Sequence, residues 1–443
     1  MLDKYYDSYG YEVPEQFITM ADIKKVQFAP PKTVSVERTE IKSFFSEEGQ
    51  GTGDLVQSPL LYPTPHDYSR DYFTFLALED TTFSFSVNDM QYSLDEGKTW
   101  STLEAGSSTP TVRAGKTILW KQTGLASTSA SGIGKFSSTG NFNAYGNIMS
   151  LLFGDDFDDK KDLSGYDYAF LNLFDHSKLV DASNVILQAT KLSSDCYCFM
   201  FANCFRMVYP PKNLPATTLT HFSYRGMFGG NHMMKQAPKL PATNLDYGCY
   251  NLMFWGCDAL TECPELPATE LAEACYHSMF SECDNITKTP KLPATTLTKS
   301  CYSGMFSGCT ALTEVQELPA TNLEQSCYAK MFMNCTALTK APELPATTLS
   351  PYCYQALFYG CTALTEAPEL PAKTLVDVCY NAIFRNCSSL KYIKCLATDM
   401  SATNCLANWV IGVSDSGTFV KDADATWSTG TAGIPENWTV VDA

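Results

Sequence analysis

From residue 187 onward the apolar positions recur with one long period. The motif Leu-Pro-Ala-Thr/Lys-x-Leu begins at Leu214, Leu240, Leu266, Leu292, Leu318, Leu344 and Leu370, each 26 residues after the last. A degenerate copy, Leu-Gln-Ala-Thr-Lys-Leu, begins at Leu187. Within each unit Leu260, Ile286, Leu312, Leu338, Leu364 and Leu390 open a short extended run that ends near a proline. Cys-Tyr-x-x-Met-Phe then spaces its apolar groups as one or two helical turns would. Gly256, Gly308 and Gly360, or Asn334 and Asn386, follow where a left-handed residue would end a helix. One such unit cannot bury its apolar edge alone, whereas a stack builds a continuous core.

A period of 26 lies in the leucine-rich-repeat range. The pattern predicts an α/β leucine-rich-repeat solenoid over 179–395, its parallel strands stacked about 4.8 Å apart. The column Glu262, Lys288, Glu314, Lys340, Glu366 alternates in sign from unit to unit, as favourable cross-strand pairs require. Upstream the period is different. Residues 71–150 alternate over short runs (YFTFLAL, TFSFSV, MQYSLD, TILWKQ) between Gly/Asp/Ser-rich turns, which predicts a small all-β sandwich. Residues 151–178 read as a linker and N-terminal cap, with YDYAFLNLF as the cap. After Cys395 the motif stops, so 396–443 should cap the last unit. Residues 1–70 show little apolar periodicity and read as an extended anchoring arm. Tyr5, Tyr6, Tyr9, Tyr11 and Phe17 are its candidate assembly contacts, because aromatic rings supply contact area at modest entropic cost.

Charge removes some functions. The chain carries 31 basic and 48 acidic residues, a net −17, which disfavours nucleic acid as a partner. No run of apolar residues is long enough to span a membrane, so no membrane insertion is expected. The first residues lack the apolar core of a secretory signal, and an export route of that kind is not expected. Five histidines without ligand spacing predict neither a zinc centre nor a histidine-dependent hydrolase. The expectation is therefore a non-enzymatic protein with no cofactor, no metal and no catalytic residue.

Fourteen of the 18 cysteines fall in two columns. One runs Cys196, Cys249, Cys275, Cys301, Cys327, Cys353, Cys379; the other runs Cys204, Cys257, Cys283, Cys309, Cys335, Cys361, Cys387. The unit between Cys204 and Cys249 carries Ser223 and Asn231 instead. This joint loss suggests a disulfide in each unit. Against it, a helical Cys-x7-Cys spacing separates the Cα atoms by about 10 Å, beyond the bridging limit of about 7 Å. Reduced, buried thiols are expected, the second column facing backbone where Asn231 can substitute.

Two further motifs have structural readings. Ser93-Leu94-Asp95-Glu96-Gly97-Lys98-Thr99-Trp100 matches the S-x-D-x-G-x-T-W hairpin of sialidase propellers, but a single copy reads as a turn. Asp155, Asp156, Asp158 and Asp159 lack calcium-loop spacing and read as a solvated linker. The position after each repeat Phe is different, because it varies: Gly229, Trp255, Ser281, Ser307, Met333, Tyr359, Arg385. Trp255, Met333, Tyr359 and Arg385 are the candidate ligand-binding residues, predicted to lie exposed along one flank.

The repeat unit, together with YSLDEGKTW, GNIMSLLFGDDF and the ending GTFVKDADATW…GIPENWTV, resembles BspA-like leucine-rich-repeat proteins of gut Bacteroidetes and their phages. The resemblance spans roughly residues 71–443. It implies adhesion at a surface through protein or glycan binding. A phage virion component is the expectation, displaying the repeats on the virion surface for host attachment or for capsid or tail decoration. It would join other virion or surface proteins through the arm, be oligomeric in that assembly, and meet a host surface protein or glycan through the repeats. The alternative is a bacterial cell-surface adhesin.

Overall fold

In a computed structural model, the structure describes residues 66–443 apart from 88, 123–127 and 129–131. The arm contacts Tyr5, Tyr6, Tyr9, Tyr11 and Phe17 lie outside the described residues. What is described is rich in strands and turns, with almost no helix.

The β-rich segment opens the described chain. Strands β1 (Phe73–Ala77), β2 (Phe83–Phe85), β3 (Met90–Ser93), β4 (Ser101–Leu103), β5 (Thr117–Gln122), β6 (Phe136–Ser138) and β7 (Phe142–Asn147) are followed by a one-turn helix, α1 (Ser150–Phe153), and by β8 (Leu179–Ile186). One sheet has the order β4-β3-β5-β1-β7-β8, and β2 pairs with β6 beside it. The alternation in β5 is a half-buried pattern, with Ile118, Trp120 and Gln122 inward. Pairing runs across the expected boundaries at 150 and 178. β8, from the first repeat, lies parallel to β7, and the isolated bridge Asp181↔Tyr209 passes the pairing to the next unit. The core is continuous too. Phe75 meets Phe136, Phe136 stacks on Phe174, and Phe174 stacks on Phe201 of the repeats.

The lone S-x-D-x-G-x-T-W motif forms the β3–β4 turn. Asp95 accepts from the Thr99 N–H at 2.9 Å, from the Thr99 hydroxyl at 2.6 Å and from the Ser93 hydroxyl at 2.8 Å. These donors hold its carboxyl down at about 2. Trp100 packs behind the turn under the Lys121 ammonium, 4.3 Å from the ring centroid. Asp155 is engaged as well, accepting from the Tyr72 hydroxyl and Lys121, so this part of the acidic cluster braces the sheet.

The Cys-Tyr-x-x-Met-Phe segments are not helices. In the unit at 298–309 the amides of Cys301, Ser303, Met305, Ser307 and Cys309 each close a turn on the residue three before. The alternate amides, Ser300, Tyr302, Gly304, Phe306 and Gly308, point out of the unit. They donate to Gln325, Cys327, Ala329, Met331 and Met333 of the next one, at 2.7–3.0 Å. A helix would consume all these groups internally, so the inter-unit bonds displace it. The consequence is a left-handed residue at every fourth position, here Ser300, Gly304 and Gly308 with φ of 54°, 63° and 80°. The glycine and asparagine column expected to end a helix does take positive φ (Gly256 66°, Asn334 61°, Gly360 73°), as the third residue of such a turn.

The repeated extended runs are likewise reduced. Only single parallel bridges join them, such as Lys288↔Glu314, Thr296↔Asn322 and Glu366↔Tyr392. The paired prolines, Pro290 and Pro293 for example, remove ladder donors from most of these runs. The charge column nonetheless has the expected register, since Lys288 forms an ion pair with Glu314.

Side chains 26 or 27 residues apart stack directly. Tyr197, Tyr224, Tyr250, Tyr276, Tyr302, Tyr328, Tyr354 and Tyr380 form one column with centroids 5.7–6.1 Å apart. Phe174 to Phe384 form a second, at 5.3–6.1 Å. Stacking extends past both expected ends. Phe170 and Phe174 of the predicted cap stack on Tyr197 and Phe201. After Cys395, where the motif stops, Asn404, Asn408 and Gly412 repeat the positive-φ spacing, and the amides of Tyr380 and Phe384 donate to Cys405 and Trp409. Trp409 stands in the Met column, so this unit has the backbone of the repeat without its consensus. The end is closed by the parallel strands β9 (Tyr392–Cys395), β10 (Thr418–Lys421) and β11 (Thr439–Asp442), and by Trp427 against Trp409.

All 18 cysteines are free, and all but Cys263 are buried. In the second column each thiol donates to the Phe carbonyl of the preceding unit, as Cys309 does to Phe280 at 3.1 Å and Cys335 to Phe306 at 3.2 Å. Asn231 makes the same bond to Phe201 through its amide, at 2.9 Å, which explains the substitution. Burial pushes the Cys301 and Cys309 thiols up to about 12, so the thiolate is strongly disfavoured.

Two predictions follow from this packing. Thiol titration of the folded protein should find most cysteines unreactive, and denaturation without reductant should release nearly all 18; a denatured value near zero would establish disulfides. Cys309→Ala should cost about 1–2 kcal/mol in chemical denaturation. For the β3–β4 turn, Asp95 has a folded pKa below its unfolded one, so its contribution is present above about pH 4 and fades as pH falls towards 2. The melting-temperature gap between wild type and Asp95→Asn should be constant near neutrality and close in acid; a gap independent of pH would contradict the assignment.

Candidate functional site

The strict columns of Leu, Tyr, Met, Phe and Cys are committed to the core. Side chains free to recognise anything lie on the turn positions between them. The expected flank of Trp255, Met333, Tyr359 and Arg385 is such a column, but its side chains are half-buried and not fully exposed. Trp255 lies over Gly229, whose absent Cβ would sit 3.7 Å from the indole. Tyr359 and Arg385 are brought together, the guanidinium carbon 5.7 Å from the ring centroid, and the Asn386 amide donates to the Tyr359 hydroxyl at 3.2 Å. Trp255 and Tyr359 stand four units apart, about 20 Å at strand spacing, so the column is a row of separate contacts.

A denser cluster lies nearer the β-rich end. The left-handed turn positions of two successive units carry Asp195 (53°), Phe199 (50°) and Phe222 (49°) where later units carry mostly small or polar residues. Arg225 lies between the two phenyl rings, its guanidinium carbon 4.6 Å from Phe222 and 5.6 Å from Phe199. No acceptor hydrogen-bonds that guanidinium among the described residues, and its Nε is buried. His221 stacks on Tyr247 at 5.1 Å, and Tyr247 meets the edge of Phe222 at 5.1 Å. Desolvation raises the Asp195 carboxyl against the opposing charges of His221 and Arg225.

The rings fit because the following unit supplies glycine. A Cβ on Gly226 would lie 2.1 Å from the Phe199 ring, and one on Gly248 would lie 2.2 Å from Phe222. A large residue followed one unit later by glycine was therefore the available sequence signal, and single-column reading missed it. Local charge was a second signal. Residues 178–240 hold seven Lys/Arg and two Asp, whereas 241–370 hold five Lys and fourteen Asp/Glu. The same basic sector exposes Phe205, Tyr209 and Met233, with Phe205 stacked on His232 and His232 bonded to Asp258 at 2.9 Å.

No family model and no curated protein matches this chain. A leucine-rich repeat protein from Bacteroides ovatus is similar to it in structure, at 16% identity and a TM-score of 0.31, over 60% of this chain and 75% of that one.

The close approach predicts a specific coupling. Gly248→Ala should destabilise the chain by about 2 kcal/mol or more, and adding Phe222→Ala should recover at least about 1 kcal/mol of that loss. Ala274 takes φ 54° at the equivalent position, so the backbone itself accepts a Cβ. Additive losses in denaturant titration of the double variant would show that the ring does not seat on Gly248.

Proposed function

We propose that the chain is a BspA-like leucine-rich-repeat solenoid acting as a non-enzymatic binding protein, displayed on a phage virion for attachment to a host surface or for decoration. The observation that carries this reading is the division of labour within the repeat. Residues repeated from unit to unit, the Tyr and Phe columns included, pack the core, while further aromatic and arginine side chains (Trp255, Tyr359, Arg225 and Arg385) stand half-buried at positions that vary. Such residues are the ones that dominate recognition energetics. The resemblance of the repeat and of the C-terminal segment supports the surface setting. In this reading Trp255, Met333, Tyr359 and Arg385 border the binding face, and Tyr5, Tyr6, Tyr9, Tyr11 and Phe17 supply assembly contacts to other chains.

Labelled full chain should bind Bacteroides cells saturably. Trp255→Ala and Tyr359→Ala should each weaken that binding by more than about 1 kcal/mol while leaving the melting temperature within a few degrees. Cell binding no greater than that of an inert acidic protein would overturn the attachment reading.

A further inference from the structure

We propose that Arg225, framed by Phe199 and Phe222 and flanked by Asp195, His221 and Tyr247, is a subsite for a uronic acid residue of an acidic polysaccharide. The inference rests on the surface-binding reading and names the class of ligand.

Three features point to this ligand. First, the guanidinium is oriented by two rings yet has no hydrogen-bonded acceptor among the described residues. A planar fork held this way suits a carboxylate, which it can bind with two parallel hydrogen bonds. Second, the arginine belongs to residues 178–240, a stretch with net positive charge in an otherwise acidic chain, which suits an anionic ligand better than a neutral one. Third, the surroundings suit a sugar ring. The half-buried Phe222 ring suits ring C–H groups, and the half-buried Asp195 is an acceptor for a hydroxyl. An acidic peptide would use the arginine, and its backbone N–H groups can donate to Asp195, but its Asp or Glu side chain brings no C–H ring to pack against Phe222.

The test is saturation-transfer NMR and calorimetry on the full chain with methyl glucuronide, methyl glucoside and an Asp-Glu-Tyr peptide. Glucuronide should bind in the millimolar range, at least fivefold tighter than glucoside and than the peptide, and should weaken as salt rises. Arg225→Lys keeps the charge but loses the fork, and should remove most of the preference for glucuronide. Asp195→Asn, which is isosteric, should weaken both sugars with the melting temperature kept within a few degrees. Equal binding of glucoside, tighter binding of the peptide, or glucuronide binding unchanged in both variants would each overturn the assignment, as would no glycoside binding at all. If glycosides fail while Trp255→Ala still weakens cell attachment, the saccharide inference falls and the attachment reading stands.

Discussion

The structure depends on one set of hydrogen bonds: those that alternate amides of each turn segment donate to the next unit. They fix the stacking register to the sequence period, because Tyr302 can reach Cys327 only if Tyr302 sits against Tyr328. They also impose a cost. Every fourth position must accept a left-handed conformation, which costs roughly 1–2 kcal/mol wherever it is not glycine, and even Val378 does so with φ 60°. A consensus unit offsets this by burying a Tyr, a Phe, a Met or aliphatic residue and two thiols, where one large apolar side chain contributes about 1.5–3 kcal/mol. Neither contribution survives in an isolated unit, so the units stand or fall with their neighbours.

This constraint explains which residues vary. A side chain inside the stack meets its own copy above and below, and a change in one unit is felt in two interfaces. Cys to Asn at position 231 is tolerated because the amide reproduces the bond to the preceding Phe carbonyl. The turn positions face outward and need only satisfy the next unit's surface. Hence Phe199 and Phe222 are matched by Gly226 and Gly248, and the aromatic–arginine cluster is built without disturbing the columns beneath it.

Much of this was legible in the chain. The 26-residue period, the pairing of Lys288 with Glu314, the left-handed position at Gly308 and the backbone-facing second cysteine column all follow from spacing and residue type. The helix did not follow, because Cys-Tyr-x-x-Met-Phe has helical spacing yet its amides bond outward, a choice that only the neighbouring unit decides. Nor did continuous strands, since the same prolines that punctuate the motif strip its ladder donors. The unit around Cys405 was hidden because Leu406 and Trp409 replace the Tyr and Met that mark the others. The candidate site was half visible: the varying column was found, but its exposure was misjudged, since Trp255 and Tyr359 lean on adjacent units. The Arg225 cluster needed two units to be read together.

Stacked turns, bonded from unit to unit, replace helices throughout the repeats. Far-ultraviolet circular dichroism of the full chain distinguishes the two backbones. The expected spectrum lacks the double minimum of α-helix, since α1 is a single turn among the described residues. A strong helical double minimum, scaling to a helix in each repeat, would contradict the stacked turns.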